Sequence, residues 1–268
     1  MARVVRRAGL LPILSMLLSV AWLGCSLDSS GGGPGPGTGG GGGEGGAGGV
    51  ETSSLRVAHL AVGIPEVGAT RLDFRVVNQG SFNDIAFGRV SQSAELPSGV
   101  HQLDLMLPGG VTPLVGVSWE LEADVRYTVV AYRDATAPEL TGLIVLEERT
   151  NGLAVDRGRV LVGHGADDST WATVAIVDVS ANALLASGLV LGTQIEPVDL
   201  EPGPQELGFS ISSVPPAIDE GPFEIDVSAG ETSVVIPVDE NLVDGATDPV
   251  IYVLKRGTVG MIPVVPGG

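Results

Sequence analysis

The chain has 268 residues, a single cysteine and a formal net charge of −18; residues 1–24 contain three arginines and no acid, which leaves −21 on the remainder. Such an acidic surface repels phosphate backbones and anionic lipid headgroups, which argues against nucleic-acid binding and against charge-driven contact with a membrane. Because one cysteine excludes an intramolecular disulfide, stability must come from buried apolar surface.

The N-terminal segment has the layout of an export signal. Arg3, Arg6 and Arg7 precede an apolar run over 10–20, and small or apolar residues follow that run. The run is about half of the roughly 20 residues that a membrane-spanning helix needs. The pattern predicts a cleaved signal peptide over residues 1–24. The twin arginines leave export by the twin-arginine route open beside the general route.

Leu23-Gly24-Cys25 follows directly and resembles the lipobox of bacterial lipoproteins, with Trp22 at a position that is commonly leucine in that family. The resemblance implies that the Cys25 thiol is acylated and that Cys25 becomes the N-terminus. Acylation also accounts for an otherwise reactive unpaired thiol in an exported protein. The alternative is a plain cleaved signal without a lipid.

Residues 25–53 form the next segment, in which glycine dominates from Gly31 to Gly49. Side chains that could build a core are missing there, so the segment is predicted to be a disordered tether. Its length corresponds to a reach of roughly 30 Å for a flexible chain.

From residue 55 onward the sequence changes to short runs rich in valine, leucine and isoleucine, which turn residues interrupt every eight to twelve positions. This spacing is typical of an all-β protein. Residues 181–191 come closest to a helical pattern, but their β-branched and glycine content argues against a helix. Strands in the first half are predicted at 55–61, 71–77, 84–90, 101–107, 114–121, 126–132 and 140–147.

The β-rich region contains an internal repeat. Arg56-Val57-Ala58-His59 corresponds to Leu161-Val162-Gly163-His164, and Leu96-Pro97-Ser98-Gly99 corresponds to Leu200-Glu201-Pro202-Gly203. A third pair of segments, 121–130 and 227–235, follows in the same order at a similar offset. Recurrence at a nearly constant offset indicates duplication. We therefore predict two tandem immunoglobulin-like antiparallel β-sandwich domains at 54–150 and 157–266.

These motifs resemble a family of tandem extracellular bacterial domains of unknown function, whose members carry R-V-x-H, L-P-x-G and L-x-A-G-x-x-Y-T-V. The last motif corresponds here to residues 121–129, with Asp124 in the glycine position, and the resemblance spans 55–265. Family members continue the histidine strand with a Ser-Pro turn, whereas this chain has Val62-Gly63-Ile64-Pro65. The resemblance implies a β-sandwich and an exported or lipid-anchored location, and it implies no catalytic residues.

Several residues are candidates for chemistry. His59 and His164 occupy equivalent strand positions, and their valine-rich surroundings favour a core role over metal binding. Tyr127 is predicted to form a tyrosine corner, with its hydroxyl bonded to nearby backbone, and Trp119 and Trp171 are expected in the core. Acidic residues could hold calcium, but none has the spacing of a calcium-binding loop, and solvated loops are favoured. They are Glu147, Glu148, Asp167, Asp168, Asp239, Glu240 and Asp244.

The sequence predicts a non-enzymatic lipoprotein of the cell envelope, located in the outer membrane, in the periplasm or at the surface. No G-x-S-x-G elbow or zinc-ligand spacing occurs, so we expect no catalytic residues, no metal and no cofactor. The expected partners are the membrane, through the lipid on Cys25, and an envelope protein or glycan bound by the domains. The alternative is a carbohydrate- or calcium-binding accessory module. It would need an aromatic platform, for which Trp119, Trp171, Tyr132 and Tyr252 are the candidates.

Overall fold

The computed structural model describes residues 50–61, 71–133, 141–166, 171, 173–211, 218–238, 250–256, 258 and 260–264. These residues belong to one compact unit that begins at Gly48. They are almost all in strands and loops, and none of them lies in an α-helix. No apolar helix of membrane-spanning length occurs among them.

The first half of this unit is a sandwich of two four-stranded sheets. One sheet has the order β4-β1-β7-β8 and the other has the order β3-β2-β5-β6. The strands are β1 (Thr52–His59), β2 (Arg71–Val76), β3 (Gly80–Ala86), β4 (Ala94–Pro97), β5 (Gly99–Met106), β6 (Pro113–Leu121), β7 (Arg126–Arg133) and β8 (Thr141–Glu148).

The second half has the same arrangement with one added strand. Its sheets have the orders β12-β9-β15-β16-β17 and β11-β10-β13-β14. The strands are β9 (Gly158–Val162), β10 (Thr173–Asp178), β11 (Ala183–Val190), β12 (Val198–Leu200), β13 (Gly203–Ser210), β14 (Glu220–Val227), β15 (Thr232–Val238), β16 (Val250–Leu254) and β17 (Ile262–Val264).

The predicted all-β sandwich class is confirmed, and the sheets are antiparallel apart from one pair in each half. β1 lies parallel to β7 and β9 lies parallel to β15. A parallel neighbour requires a long connection through other strands. The first and seventh strands of each half therefore meet in the middle of one sheet, while the intervening strands form most of the other.

Two turns have the same backbone conformation in both halves. Gly99 and Gly203, which begin β5 and β13, have φ of 124° and 117°. Asp124 and Gly230, which precede β7 and β15, have φ of 61° and 70°. Aspartate is one of the few residue types other than glycine that tolerate this left-handed conformation, which explains how Asp124 stands in the glycine position of the motif.

Each sandwich has its own apolar core between its two sheets. Leu55, Phe74, Leu105 and Tyr127 are buried in the first core, and Trp171, Phe209 and Phe223 are buried in the second. The rings of Phe209 and Phe223 pack edge to face with centroids 5.7 Å apart. Such aromatic pairs add stability beyond their buried area.

A third apolar cluster joins the two sandwiches, and we call it the junction. The outer face of β1, β7 and β8 packs there against the outer face of β9, β15 and β16. The backbone N–H of Met261 also donates to the carbonyl of Gly88 at 3.2 Å. The buried members are Ala58, Leu60, Val90, Val130, Ile144 and Leu146 from the first sandwich and Leu161, Val234, Ile236, Val238, Val250, Tyr252, Leu254 and Met261 from the second.

The predicted strands agree with the observed ones at most positions, and two differences are informative. β3 begins at Gly80 instead of residue 84, and β4 includes Leu96 and Pro97 of the L-P-x-G motif, for which no separate strand was predicted. Residues 183–190, inside the segment with a partly helical pattern, form strand β11. Side chains alternate between buried and exposed positions only weakly along β3, so its start carries little sequence signal.

Candidate functional site

Arg56, the arginine of the R-V-x-H motif, lies at the junction. Its guanidinium is buried and donates from Nη2 to Oε1 of Glu148 and from Nε to Oγ1 of Thr128, both at 2.8 Å. Thr128 Oγ1 donates in turn to the same carboxylate oxygen. Nη1 of Arg56 reaches the carbonyl of Lys255 in the second sandwich at 3.2 Å. These bonds connect β1, β7, β8 and the segment after β16 through one buried ion pair.

The two motif histidines are fully buried, as predicted. Nδ1 of His59 accepts the N–H of Ala61 at 3.2 Å, and Nδ1 of His164 accepts the N–H of Ala166 at 3.3 Å. The other nitrogen, Nε2, therefore carries the proton; in His164 it donates to the carbonyl of Trp171 at 2.6 Å. Among the described residues, Nε2 of His59 has no partner. Both imidazoles are neutral core groups.

Burial lowers the pKa of His59 to about 4. We expect the free energy of unfolding to fall as the pH drops from 6.5 to 4, because the unfolded histidine is protonated in this range while the folded one is not. Above pH 6.5, neutral His59 makes its full contribution to the free energy of unfolding. By pH 4, about 3 kcal/mol of this free energy is lost. Denaturant titrations at about pH 7 and about pH 4.5 should show a shallower pH dependence in His59→Gln than in the wild type.

Burial also lowers the pKa of His164, although its hydrogen bond to Trp171 opposes the effect. The variant His164→Gln should therefore change the pH dependence in the same direction. An unchanged dependence in both variants would contradict the prediction and assign the acid sensitivity to other groups.

The tyrosine corner is confirmed. The hydroxyl of Tyr127 accepts the backbone N–H of Glu122 at 2.9 Å, while the ring is fully buried in the first core. Burial raises the pKa of this phenol, although the Glu122 hydrogen bond opposes the effect. Tyr127 thus holds the turn before β7 against the core, which gives it a structural role.

A groove lies on the open side of the first sandwich, and we call it the Trp119 groove. It has a volume of about 570 Å³ and runs between β6 and β8, the edge strands of the two sheets, to the turn after β11 in the second sandwich. Its lining residues are Val117, Ser118, Trp119, Leu143, Ile144, Val145, Glu147, Gly192, Thr193 and Gln194.

The floor of the groove is apolar and its margin is polar. Trp119 is half-buried and packs against the first core, so it is only partly the core residue that the sequence predicts. Oε1 of Gln194 accepts the backbone N–H of Glu147 at 3.2 Å, which holds the second sandwich against β8. A half-buried tryptophan beside hydroxyl and amide groups suits a ligand with both apolar and hydrogen-bonding surface.

The other candidate aromatic residues are not among those that line this groove. Trp171 and Tyr252 are each 5% exposed, and Tyr132 is half-buried at the junction. Trp171 packs against Phe209 with ring centroids 5.8 Å apart, as expected of a core residue. Of the four candidates for an aromatic platform, Trp119 is the one that lines the groove.

The acidic candidates are divided between separate environments. Glu147 forms an ion pair with Arg149 at 2.8 Å, whereas the neighbouring Glu148 points to the opposite side of β8 and pairs with Arg56. Within the described ranges, no three His, Cys, Asp or Glu side chains gather closely enough to hold a metal ion. Cys25, the segment 62–65 and the acidic residues Asp167, Asp168, Asp239, Glu240 and Asp244 lie outside the described residues.

Comparison with known proteins gives a family match but no functional relative. The sequence profile of a domain of unknown function (DUF4397) matches residues 53–175, which extend from β1 into β10. No curated protein matches the chain. A solved structure, the Bacillus anthracis TIE protein, shares 12% identity, with a TM-score of 0.22. The alignment covers 70% of this chain and 34% of that one, so this chain spans about a third of that protein's length. Over residues 53–175, the chain is therefore similar to a domain family of unknown function.

Proposed function

We propose that this protein is a non-enzymatic, lipid-anchored component of the cell envelope that displays two packed β-sandwiches for adhesion, envelope organisation or protein binding. The observation that carries the proposal is the Trp119 groove, because it is bounded by two edge strands and by a turn of the second sandwich. Edge strands offer backbone groups to an added strand, and an apolar groove beside them offers a place for its side chains.

The junction supports a display role. Both sandwiches contribute large buried side chains to it, and the Arg56 network and the Gln194–Glu147 hydrogen bond also cross it. A buried apolar interface holds two domains in one orientation, whereas a small polar interface permits motion. A groove formed by both sandwiches would therefore exist before a partner binds. Such a preformed groove reduces the entropic cost of binding.

Anchoring is tested at Cys25. We expect the wild-type protein to fractionate with membranes and its mature N-terminal peptide to carry an acylated cysteine, because the lipobox-like segment supplies the acceptor thiol. The variant Cys25→Ser should move to the soluble envelope fraction, and the matched variant Ser26→Ala should stay with membranes. Mass spectrometry that finds Met1 retained or Cys25 unmodified would overturn the anchoring part of the proposal.

Partner binding is tested at the groove. We expect Trp119→Ala to reduce capture of an envelope protein by about tenfold or more, since a central aromatic anchor commonly contributes 2 kcal/mol or more to an interface. Crosslinking and pull-down from native envelopes measure the effect, with the exposed Val111→Ala as the control. Equal capture by both variants would place the binding surface elsewhere.

A carbohydrate-binding accessory role is the second candidate, and the position of Trp119 beside Ser118, Thr193 and Gln194 favours it. A sugar ring could stack on the indole while its hydroxyls bond to the polar margin. A glycan array and tryptophan fluorescence distinguish this role from protein binding: saturable quenching by a glycan in the wild type, lost in Trp119→Ala, supports it. If the accessory module binds calcium, the melting temperature of the protein should rise with calcium and fall with EDTA.

A further inference from the structure

A second cavity lies at one end of the junction, away from the Trp119 groove, and we call it the junction cavity. Its volume is about 210 Å³. The starts of β7 and β15 and the segments after β8 and β16 enclose it, so each sandwich supplies part of its wall. Asp124, Arg126, Glu148 and Thr150 line it from the first sandwich, and Glu231, Thr232 and Arg256 line it from the second.

Two buried oxygen atoms in this wall lack partners among the described residues. They are Oε2 of Glu148 and Oγ1 of Thr232. The Glu148 side chain is 1% exposed, and its other oxygen, Oε1, already accepts from Arg56 and Thr128. Nη1 of Arg126 lies 3.8 Å from Oε2, which is too far for a hydrogen bond. Buried polar atoms normally have partners, so both oxygens are candidate acceptors for a hydrogen-bond donor that binds in the cavity.

Charges of both signs line the cavity: Arg126 and Arg256 lie among the acidic residues Asp124, Glu148 and Glu231. Burial lowers the pKa of Arg126, and repulsion by Arg256 and Arg56 lowers it further, against an opposing attraction from Glu148. Two guanidinium groups thus share one cavity, and a third, that of Arg56, pairs with Glu148 in its wall. The residues after position 24 include eleven cationic side chains in all and carry a net charge of −21. Grouped arginines of this kind are suited to binding a carboxylate or another planar anion.

We propose that the junction cavity binds a small hydroxylated carboxylate of monosaccharide size, such as a uronic acid or another sugar acid. The ligand carboxylate accepts hydrogen bonds from Arg126 and Arg256. Its hydroxyl groups donate to Oε2 of Glu148 and Oγ1 of Thr232. A neutral sugar leaves the guanidinium groups without an anion. A multiply charged phosphate meets the carboxylates of Glu148 and Glu231, so the combination of one negative charge with several hydroxyls fits best.

This site is independent of the proposed display function, because it involves neither Cys25 nor the Trp119 groove. A ligand held by both sandwiches would also stabilise the junction, since binding to the folded state alone raises the free energy of unfolding.

The experiment uses the full mature chain in isothermal titration calorimetry and thermal melting with galacturonate and glucuronate as probes. Galactose, acetate and inorganic phosphate are the comparison ligands. We expect at least one uronate to bind saturably and to raise the melting temperature, with binding about tenfold or more tighter than any comparison ligand.

Two variants locate the binding. Arg256→Gln replaces an exposed side chain and should weaken uronate binding about tenfold without loss of folding. Thr232→Val removes a hydroxyl that has no partner within the described part of the chain, so it should retain the melting temperature without ligand and lose affinity. Arg71→Gln, whose partner Asp84 is in the sheet remote from the junction, is the matched control.

Three results would overturn the proposal. The first is the absence of saturable uronate binding at concentrations up to about 10 mM, which would leave the cavity filled by water alone. The second is equal affinity for acetate or phosphate, which would mean that hydroxyl groups are not recognised. The third is uronate binding that neither Arg256→Gln nor Thr232→Val weakens, which would place the site elsewhere.

Discussion

Replacing Arg56 with methionine is expected to lower the free energy of unfolding by about 3–5 kcal/mol. The substitution keeps most of the side-chain volume but removes the cation that pairs with Glu148, whose side chain is 1% exposed. An unpaired carboxylate would then remain in the junction beside Thr128, with only the more distant Arg126 near it. Urea denaturation followed by circular dichroism measures the change.

The loss of stability in Arg56→Met should come from the buried carboxylate of Glu148 that is left unpaired. The intact ion pair itself adds little, since the desolvation of a buried ion pair offsets most of its attraction. The triple variant Arg56→Met/Thr128→Val/Glu148→Leu is therefore expected to be more stable than Arg56→Met by about 2 kcal/mol or more. Arg71→Met is the control: its pair with Asp84 is largely exposed, and it should cost at most about 1 kcal/mol. If Arg56→Met and Arg71→Met cost the same, the Arg56 network does not stabilise the junction.

The second large effect is expected at Leu146, a fully buried residue of β8 in the junction. Leu146→Ala should cost about 2–5 kcal/mol, because it removes apolar contact and leaves a cavity between two sheets that are anchored by their own cores. A Cβ added at Gly163 of the second sandwich would lie 3.0 Å from Cδ2 of Leu146, which shows how closely the two halves approach here.

The effect should also change how the protein unfolds. The wild type is expected to unfold in one transition, since the junction couples the two cores, whereas Leu146→Ala should broaden the transition or divide it into two. Differential scanning calorimetry measures this from the ratio of van't Hoff to calorimetric enthalpy. Val111→Ala, at a side chain that is 87% exposed, should stay within about 0.5 kcal/mol of the wild type. Two separate transitions in the wild type would contradict the coupling.

Local patterns were sufficient to predict much of the fold. The alternating leucines at 103, 105 and 107 place β5, and the tyrosine of the Y-T-V segment marks the corner at the start of β7. β3 and β4 were harder. The pairing of β2 with β3 shifts register between Leu72 and Phe74, and Asp84 has a φ of 61°. A bulge of this kind interrupts the alternation from which a strand is recognised.

The candidate sites depend on residues far apart in the chain. Glu148 lies 92 residues after Arg56, and Gln194 lies 47 residues after Glu147. The sequence marked Arg56 as part of a motif and Trp119 as a core residue, but it contained no sign that one enters a buried ion pair and the other lines a groove. Both outcomes depend on residues that are distant in the chain and become neighbours only in the folded protein.

β7 and β15 show which features a local pattern of residues specifies and which depend on the packing of distant segments. Their nearly continuous apolar runs specify strands that are buried on both faces, because an exposed face would require alternating polar residues. The identity of the covering surface is not encoded locally. Val130 and Ile236 meet in the junction only because the two sandwiches dock through these sheets. Composition and periodicity therefore specified the all-β class and most strands of the first half, whereas the docking of the two halves created the junction, the Trp119 groove and the junction cavity.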